Sequence, residues 1–249
     1  MEYIYNIDDR CEVKVTTRSN VSNVEKVYEA LDNVHKELFL KSCFGKLYDI
    51  KNMKISAQLI HNLLLRRVVS VNEDELWFFL GLEKVARFSL YEFMLITGLS
   101  PTDENEYENQ INEDGRLNNK YFPTSSKVTL KELDEAFEKE LEDMDDKYKL
   151  GLVLIYETVL RSKEKNTSID LRTLDIVDDL ELFNEYPCGT KSFNFTIHAF
   201  LRVSKNPKPK YYLWGFPQAI EVWAFESIPQ IANMYHARLP VNGLPRMCR

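Results

Sequence analysis

No apolar run in this chain approaches the roughly 20 residues that a membrane-crossing helix needs. The longest, around Leu152–Tyr156, is broken by Glu157. Glycine is sparse, and nowhere does it form a loop that would cradle phosphate with backbone amides. The cysteines Cys11, Cys43, Cys188 and Cys248 are far apart and form no C-x-x-C pair. That spacing speaks against a paired zinc site. A basic excess is missing too. The net charge of −7 opposes general nucleic-acid binding, which needs cations to neutralise phosphates. Met1–Asp9 is acidic and unlike a secretory leader, so the thiols are expected to be reduced and the protein intracellular.

What is present builds a core. Hydrophobic residues make up 44% and charged residues 29%, a balance that excludes disorder as the dominant state. Phe and Tyr supply most of the bulky apolar volume.

Helical periodicity starts at Ser22, which has capping-box spacing to Glu25. Val24, Val27, Tyr28, Leu31, Val34 and Leu38 then recur at three- and four-residue steps and predict one apolar face. Phe44-Gly45 ends this element. A second helix is expected over Ser56–Val68, with Arg66-Arg67 at the end where a helix favours cations.

Glu75-Leu-Trp-Phe-Phe-Leu80 reads as a strand, turned at Gly81 and answered by Lys84–Phe88 as a short antiparallel partner. Ser89 and Glu92 form a capping box, Phe88 and Phe93 a hydrophobic staple, and Gly98 fits a left-handed C-terminal cap. Several local rules agree on one strand–turn–capped-helix segment over Glu75–Leu99.

Polar residues dominate Ser100–Ser126, which reads as a connecting loop. Helices resume at Thr129, paired with Glu132, and are expected to run through an acidic stretch to Asp146. Tyr148–Arg161 predicts a central apolar helix and Asp170–Glu185 an amphipathic one. Phe193–Val203 and Ile220–Ser227 follow, separated by the loop Ser204–Lys210. The sequence thus divides into an extension 1–15, a helical half 16–99, the loop 100–126, a second helical half 127–235 of the same domain, and a tail 236–249. The tail, Leu239–Arg249, reads as a segment still in progress.

These residues carry a resemblance. Ser42–Gly45, Gln58–Arg66, Glu75–Phe78, Arg87–Phe93, Thr97–Leu99, Val177–Leu180, Tyr186-Pro187 with Gly189, and Gly215–Pro229 together resemble a plant domain of unknown function, the one numbered nineteen eighty-five. Its motif positions here are Phe44, Gly45, Trp77, Phe88, Ser89, Glu92, Phe93, Gly98, Gly215, Phe216, Pro217, Trp223 and Pro229. Cys188 stands where that family usually has Trp, and Leu82 where a second Gly is usual. The resemblance implies a non-catalytic accessory domain of transposon-derived plant genes. It often lies upstream of a cysteine protease domain similar to SUMO-specific proteases, and a nuclear location follows from the transposon association alone.

Chemistry-bearing residues each have a plainer reading. Cys188 in Pro187-Cys-Gly189 invites comparison with a protease nucleophile. A thiolate needs a positioned base, and in the SUMO-protease-like enzymes that this setting resembles the His precedes the Cys, whereas His198 follows it. His35 and His61 lie within helical patterns. Cys188 with His198, and His236 with Cys248, are loose pairs without the spacing of a metal site. The acidic run Glu138–Asp146 would suit a cation or a basic partner. Interrupted by Lys139, Leu141, Met144 and Lys147, it reads as a solvated helix face. Asp178, Asp179 and Glu181 diverge around a helix. Lys205, Lys208 and Lys210 beside Tyr211 and Tyr212 form the compact basic loop, the candidate for weak nucleic-acid contact.

The sequence therefore predicts a mainly α, multi-helix globular domain with a small β-hairpin, no catalytic residues, no cofactor, no metal and no membrane segment. Its expected function is protein interaction or scaffolding with a partner still to be identified. The alternatives are the N-terminal region of a SUMO-protease-like polypeptide and a weak nucleic-acid contact.

Overall fold

The computed structural model describes residues 14–70, 72, 74–81, 84–102, 107, 115–164, 166–203, 210–228, 231 and 246–248. Among them helices dominate, accompanied by an antiparallel three-stranded sheet and a parallel pair of strands. This is the mainly α architecture with a small hairpin that the sequence predicts. No helix among the described residues is long and apolar enough to cross a membrane. The chain clusters into two compact units, one of Met1–Arg18, Lys54–Gly98 and Lys191–Arg249, the other of Ser19–Met53 and Leu99–Thr190.

In the first unit, Leu76–Gly81 is the middle strand, antiparallel to Arg67–Val68 on one side and Lys84–Phe88 on the other. Its inward residues Leu76 and Phe78 are buried, as is Phe88 opposite Leu76. Phe88 sits at the centre of an aromatic cluster, 6.4 Å from Phe93, 6.2 Å from Phe193 and 5.7 Å from Trp223 between ring centroids. These edge-on and tilted arrangements add to the gain from burial itself. The helix Leu90–Thr97 starts with both halves of the Ser89/Glu92 capping box and ends at Gly98 in the left-handed region.

The Ser56–Val68 expectation is corrected. Ser56 caps the helix Ala57–Leu65, and Arg67 and Val68 leave it to pair with Phe78 and Trp77. Arg67 is buried, and its Nη1 donates to the Phe200 carbonyl at 2.6 Å. Periodicity does not predict the parallel pair Lys14–Thr17 with Lys210–Leu213, because four residues are too few for alternation to show. Another buried polar group is Glu221 on the helix Gln218–Ser227. One carboxylate oxygen accepts the Ser56 N–H at 2.7 Å, and the other has no partner among the described residues.

In the second unit, the helix Met144–Ile155 is buried at nearly every position from Asp146 onward, as a central helix must be. It continues through a widened π-turn, Tyr156–Leu160. The loosened turn frees carbonyls that other groups satisfy. Thr158 O accepts the Asn20 N–H at 3.0 Å, and Val159 O accepts the Ser19 hydroxyl at 2.8 Å.

Two long helices read from periodicity are each two helices, with an aspartate at the break, and a third aspartate, Asp143, moves the boundary expected between Asp146 and Tyr148 upstream. Asp32 accepts the His35 N–H and starts Asn33–Lys41. Asp143 accepts the Asp146 N–H and starts Met144–Ile155 after Leu130–Lys139 has ended. Asp179 accepts from Glu181 and Leu182 and divides Arg172–Asp178 from Leu180–Glu185. A short carboxylate that satisfies the first amides of a new helix competes with continuing the old one. Ser22 is not a cap: Val21 holds that position without a side-chain bond, and Ser22 Oγ donates to Asn20 Oδ1.

Candidate interaction face

The restart at Asp32 changes which residues the next helix presents. His35 and Phe39, one turn apart, are buried. Val34, Leu38 and Leu40 are 66%, 42% and 49% exposed. Val34 and Leu38 thus leave the stripe that the sequence predicts for them.

His35 is held from both sides. Its Nδ1 is 2.7 Å from Asp32 Oδ1 and its Nε2 is 2.7 Å from Asp145 Oδ1, while the ring packs against Tyr148. Carboxylates accept only, so two of them facing a histidine favour its protonated form, which donates from both nitrogens. Burial by itself pushes its pKa down; the bonds to Asp145 and Asp32 overcome this and hold it above the ordinary value. Asp32 is held below the usual carboxylate range, first by the His35 amide and then by its ring.

His35 lines one side of an open groove of about 560 Å³, with Lys120, Glu140, Glu142, Asp143 and Asp145 around it. Behind the groove stands an ionic network. Asp146, 1% exposed, takes two bonds from Arg116 at 3.2 and 2.5 Å and one from Lys120 at 2.5 Å. Arg116 also reaches Asp178, which pairs with Lys149 at 2.6 Å. Tyr121 donates to Glu140. Burial would raise the Asp146 pKa, but Arg116 and Lys120 hold it well below the usual range. The network fixes the groove wall through a bidentate arginine fork. Leu141, between Glu140 and Glu142, is 75% exposed.

The remaining sequence candidates lie elsewhere. Lys205 and Lys208 fall outside the described residues. Lys210 is exposed at the start of its strand. Tyr211 is half-buried, its hydroxyl 3.0 Å from His61 Nδ1. Arg18 lies 4.3 Å and Lys210 5.0 Å from the centroid of the Tyr212 ring.

Cys188 is 1% exposed and opens the helix Cys188–Leu201. His198 lies about 15 Å further along that helix. His236 and the Cys248 side chain are outside the described residues, and no cluster of His, Cys, Asp or Glu among the described residues could hold a metal.

The motif positions are packing and turn positions. Phe44 is fully buried with its ring edge-on to Phe183. A side chain at Gly45 would strike the Leu40 carbonyl. Trp77 Nε1 donates to Glu75 at 2.8 Å. Gly215 has φ +77° and lies against Thr196, whose Oγ1 accepts the Phe216 N–H at 2.8 Å. Pro217 precedes the helix Gln218–Ser227 at its N-cap. Pro229 is outside the described residues.

The family model described as Domain of unknown function (DUF1985) matches residues 64–199. This chain belongs to that family. No curated protein and no solved structure matches it. The DUF1985 match takes in Trp77, the Ser89/Glu92 box, the ionic network and the groove's acidic wall, and begins after His35. Sequence reasoning missed His35 as a site because its second carboxylate is Asp145, 110 positions away. The signal that was available is the cap spacing Asp32-x-x-His35.

Proposed function

We propose that this DUF1985 domain is a non-catalytic protein-interaction module, an accessory domain of a transposon-derived plant protein. The observation that carries this reading is the exposed side of Asn33–Lys41, where the aliphatic side chains of Val34 and Leu38, one turn apart, stand in solvent. Apolar surface left in water costs about 25 cal/mol per Å², and a grouped patch marks a surface that another molecule covers. The burial of Cys188 and its separation from His198 support a non-catalytic role for that thiol, since an attacking thiolate needs both access and a base.

The test is site-specific photo-crosslinking in extract of plant nuclei, with a photoreactive residue at position 38 and, as control, at the exposed Lys131. Reproducible adducts from position 38 alone, lost with V34D, are expected. Equal labelling from both positions, or none, overturns the reading.

A second reading has an observation of its own: Lys210 and Arg18 flank the exposed ring of Tyr212, a pairing of cations with an aromatic that suits weak contact with a nucleic-acid strand. Salt-dependent DNA binding lost on substitution of Lys205, Lys208 and Lys210 is its signature. No binding at low salt removes it.

A further inference from the structure

We propose that Val34, Leu38 and the acidic groove beside them form one docking surface, and that its occupant is a lysine- or arginine-rich amphipathic helix of a partner protein. This inference rests on the interaction-module reading and gives the partner its chemistry.

His35 joins the two parts. At 100° per residue Val34 and Leu38 lie about 40° apart around the helix, and His35 is the next position toward the buried side. The same histidine that lines the groove therefore follows directly on the exposed aliphatic pair. Val34 and Leu38 are one turn apart, the spacing that matches aliphatic side chains at i and i+4 of a facing helix.

The groove decides the sign of the partner's charge. Of its charged residues, Glu140, Glu142, Asp143 and Asp145 outnumber Lys120 and His35. Both cations are already matched, Lys120 by Asp143 and Asp146 and His35 by Asp32 and Asp145. Glu142 is exposed, and the Asp145 side chain is 81% exposed although one oxygen faces His35. An acidic run alone would simply be solvated. Beside unpaired aliphatic surface it selects a partner with apolar and basic faces, while phosphate backbones are repelled. Leu141, projecting from the acidic wall, gives that wall an apolar contact of its own.

The probes are three labelled helical peptides with the same leucine face and with lysine, glutamine or glutamate on the other face, together with a labelled DNA duplex. Each is titrated against the full chain by fluorescence anisotropy at low and high salt. The lysine peptide is expected to bind about tenfold tighter than the glutamine peptide at low salt and to lose that advantage at high salt. V34D/L38D and E142K/D145K are each expected to weaken it about tenfold, with circular dichroism unchanged. E142K alone keeps the test valid where D145K disturbs His35. If the glutamine or glutamate peptide binds as well and is lost with V34D/L38D, the basic chemistry is overturned and the interaction reading stands. If no peptide responds to V34D/L38D, or the duplex does, the docking surface itself is overturned. Failure of the interaction reading is registered separately by the crosslinking experiment.

Discussion

His35 and Asp145, 110 positions apart in sequence, meet at 2.7 Å, and the histidine's other nitrogen is taken by Asp32. The contact ties the start of Asn33–Lys41 to the start of Met144–Ile155 through one proton-dependent group. A pKa raised on folding contributes stability that is complete below the unfolded value, near pH 6.5, and is lost as pH rises through the folded value. Urea midpoints measured from pH 5.5 to 9 in an E221Q background should fall with rising pH. The fall should flatten in H35Q, which cannot become a cation. An unchanged slope in H35Q contradicts the assignment.

Glu221 supplies a second slope of the same sign, which is why the E221Q background is needed. Burial pushes its carboxyl up to about 7, partly offset by the Ser56 amide. Neutral in the fold at low pH, it favours folding fully below its unfolded value near 4.5, and that advantage is lost as pH rises through 7. The shift corresponds to about 3 kcal/mol. E221Q keeps an acceptor for Ser56 and never ionises, so it should match wild type at pH 4 and exceed it at pH 8 in chemical denaturation. Equal stability at pH 8 would refute a strained Glu221.

Asp146 behaves in the opposite sense. Its depressed pKa gives stability above the unfolded carboxylate value that is lost as pH falls through the folded one. D146N leaves Arg116 and Lys120 facing each other without their shared carboxylate. The expected loss is about 3 kcal/mol, the low end for a broken buried pair because Arg116 is half in solvent. A double-mutant cycle with R116M should show coupling, and additive losses would mean the pair contributes little.

G215A tests the close approach to Thr196. The added carbon would clash with Thr196 Oγ1 and sit 2.7 Å from its Cα, at a φ of +77°. A loss of about 3 kcal/mol in thermal or denaturant unfolding is expected. Since the backbone of Thr196 is also in the way, G215A/T196A should recover little of it. Full recovery would locate the clash in the hydroxyl alone.

The segment Glu75–Leu99 was legible because every rule that shapes it acts within a few residues: the Ser89/Glu92 box, the Phe88–Phe93 staple contact and the Gly98 cap all appear as read. The groove was not legible. Val24 through Leu38 keep helical phase across Asp32, so periodicity runs on where the helix does not, and Val34 and Leu38 read as core. The same holds at Asp179, while Asp143 starts its helix a few residues ahead of the expected boundary. Periodicity reports which spacing is present; it does not show that a carboxylate caps the next amides, as Asp32 does for His35, nor that Asp145 meets that histidine's ring. Arg67, read as a charge at a helix end, is buried because Phe200 offers it a carbonyl. Nothing near Arg67 in sequence announces that.

The pairing of Lys14–Thr17 with Lys210–Leu213 bears on how the chain is made. Its two strands lie roughly 200 residues apart, a separation that makes closure entropically slow. On a ribosome the first strand emerges roughly 200 residues before its partner exists. The unit built from Ser19–Met53 and Leu99–Thr190 has all its residues about 20 positions before that partner strand begins. Synthesis therefore favours completing that unit first, with His35, Asp145 and the groove in place, while the strand at residues 14–17 still lacks its neighbour.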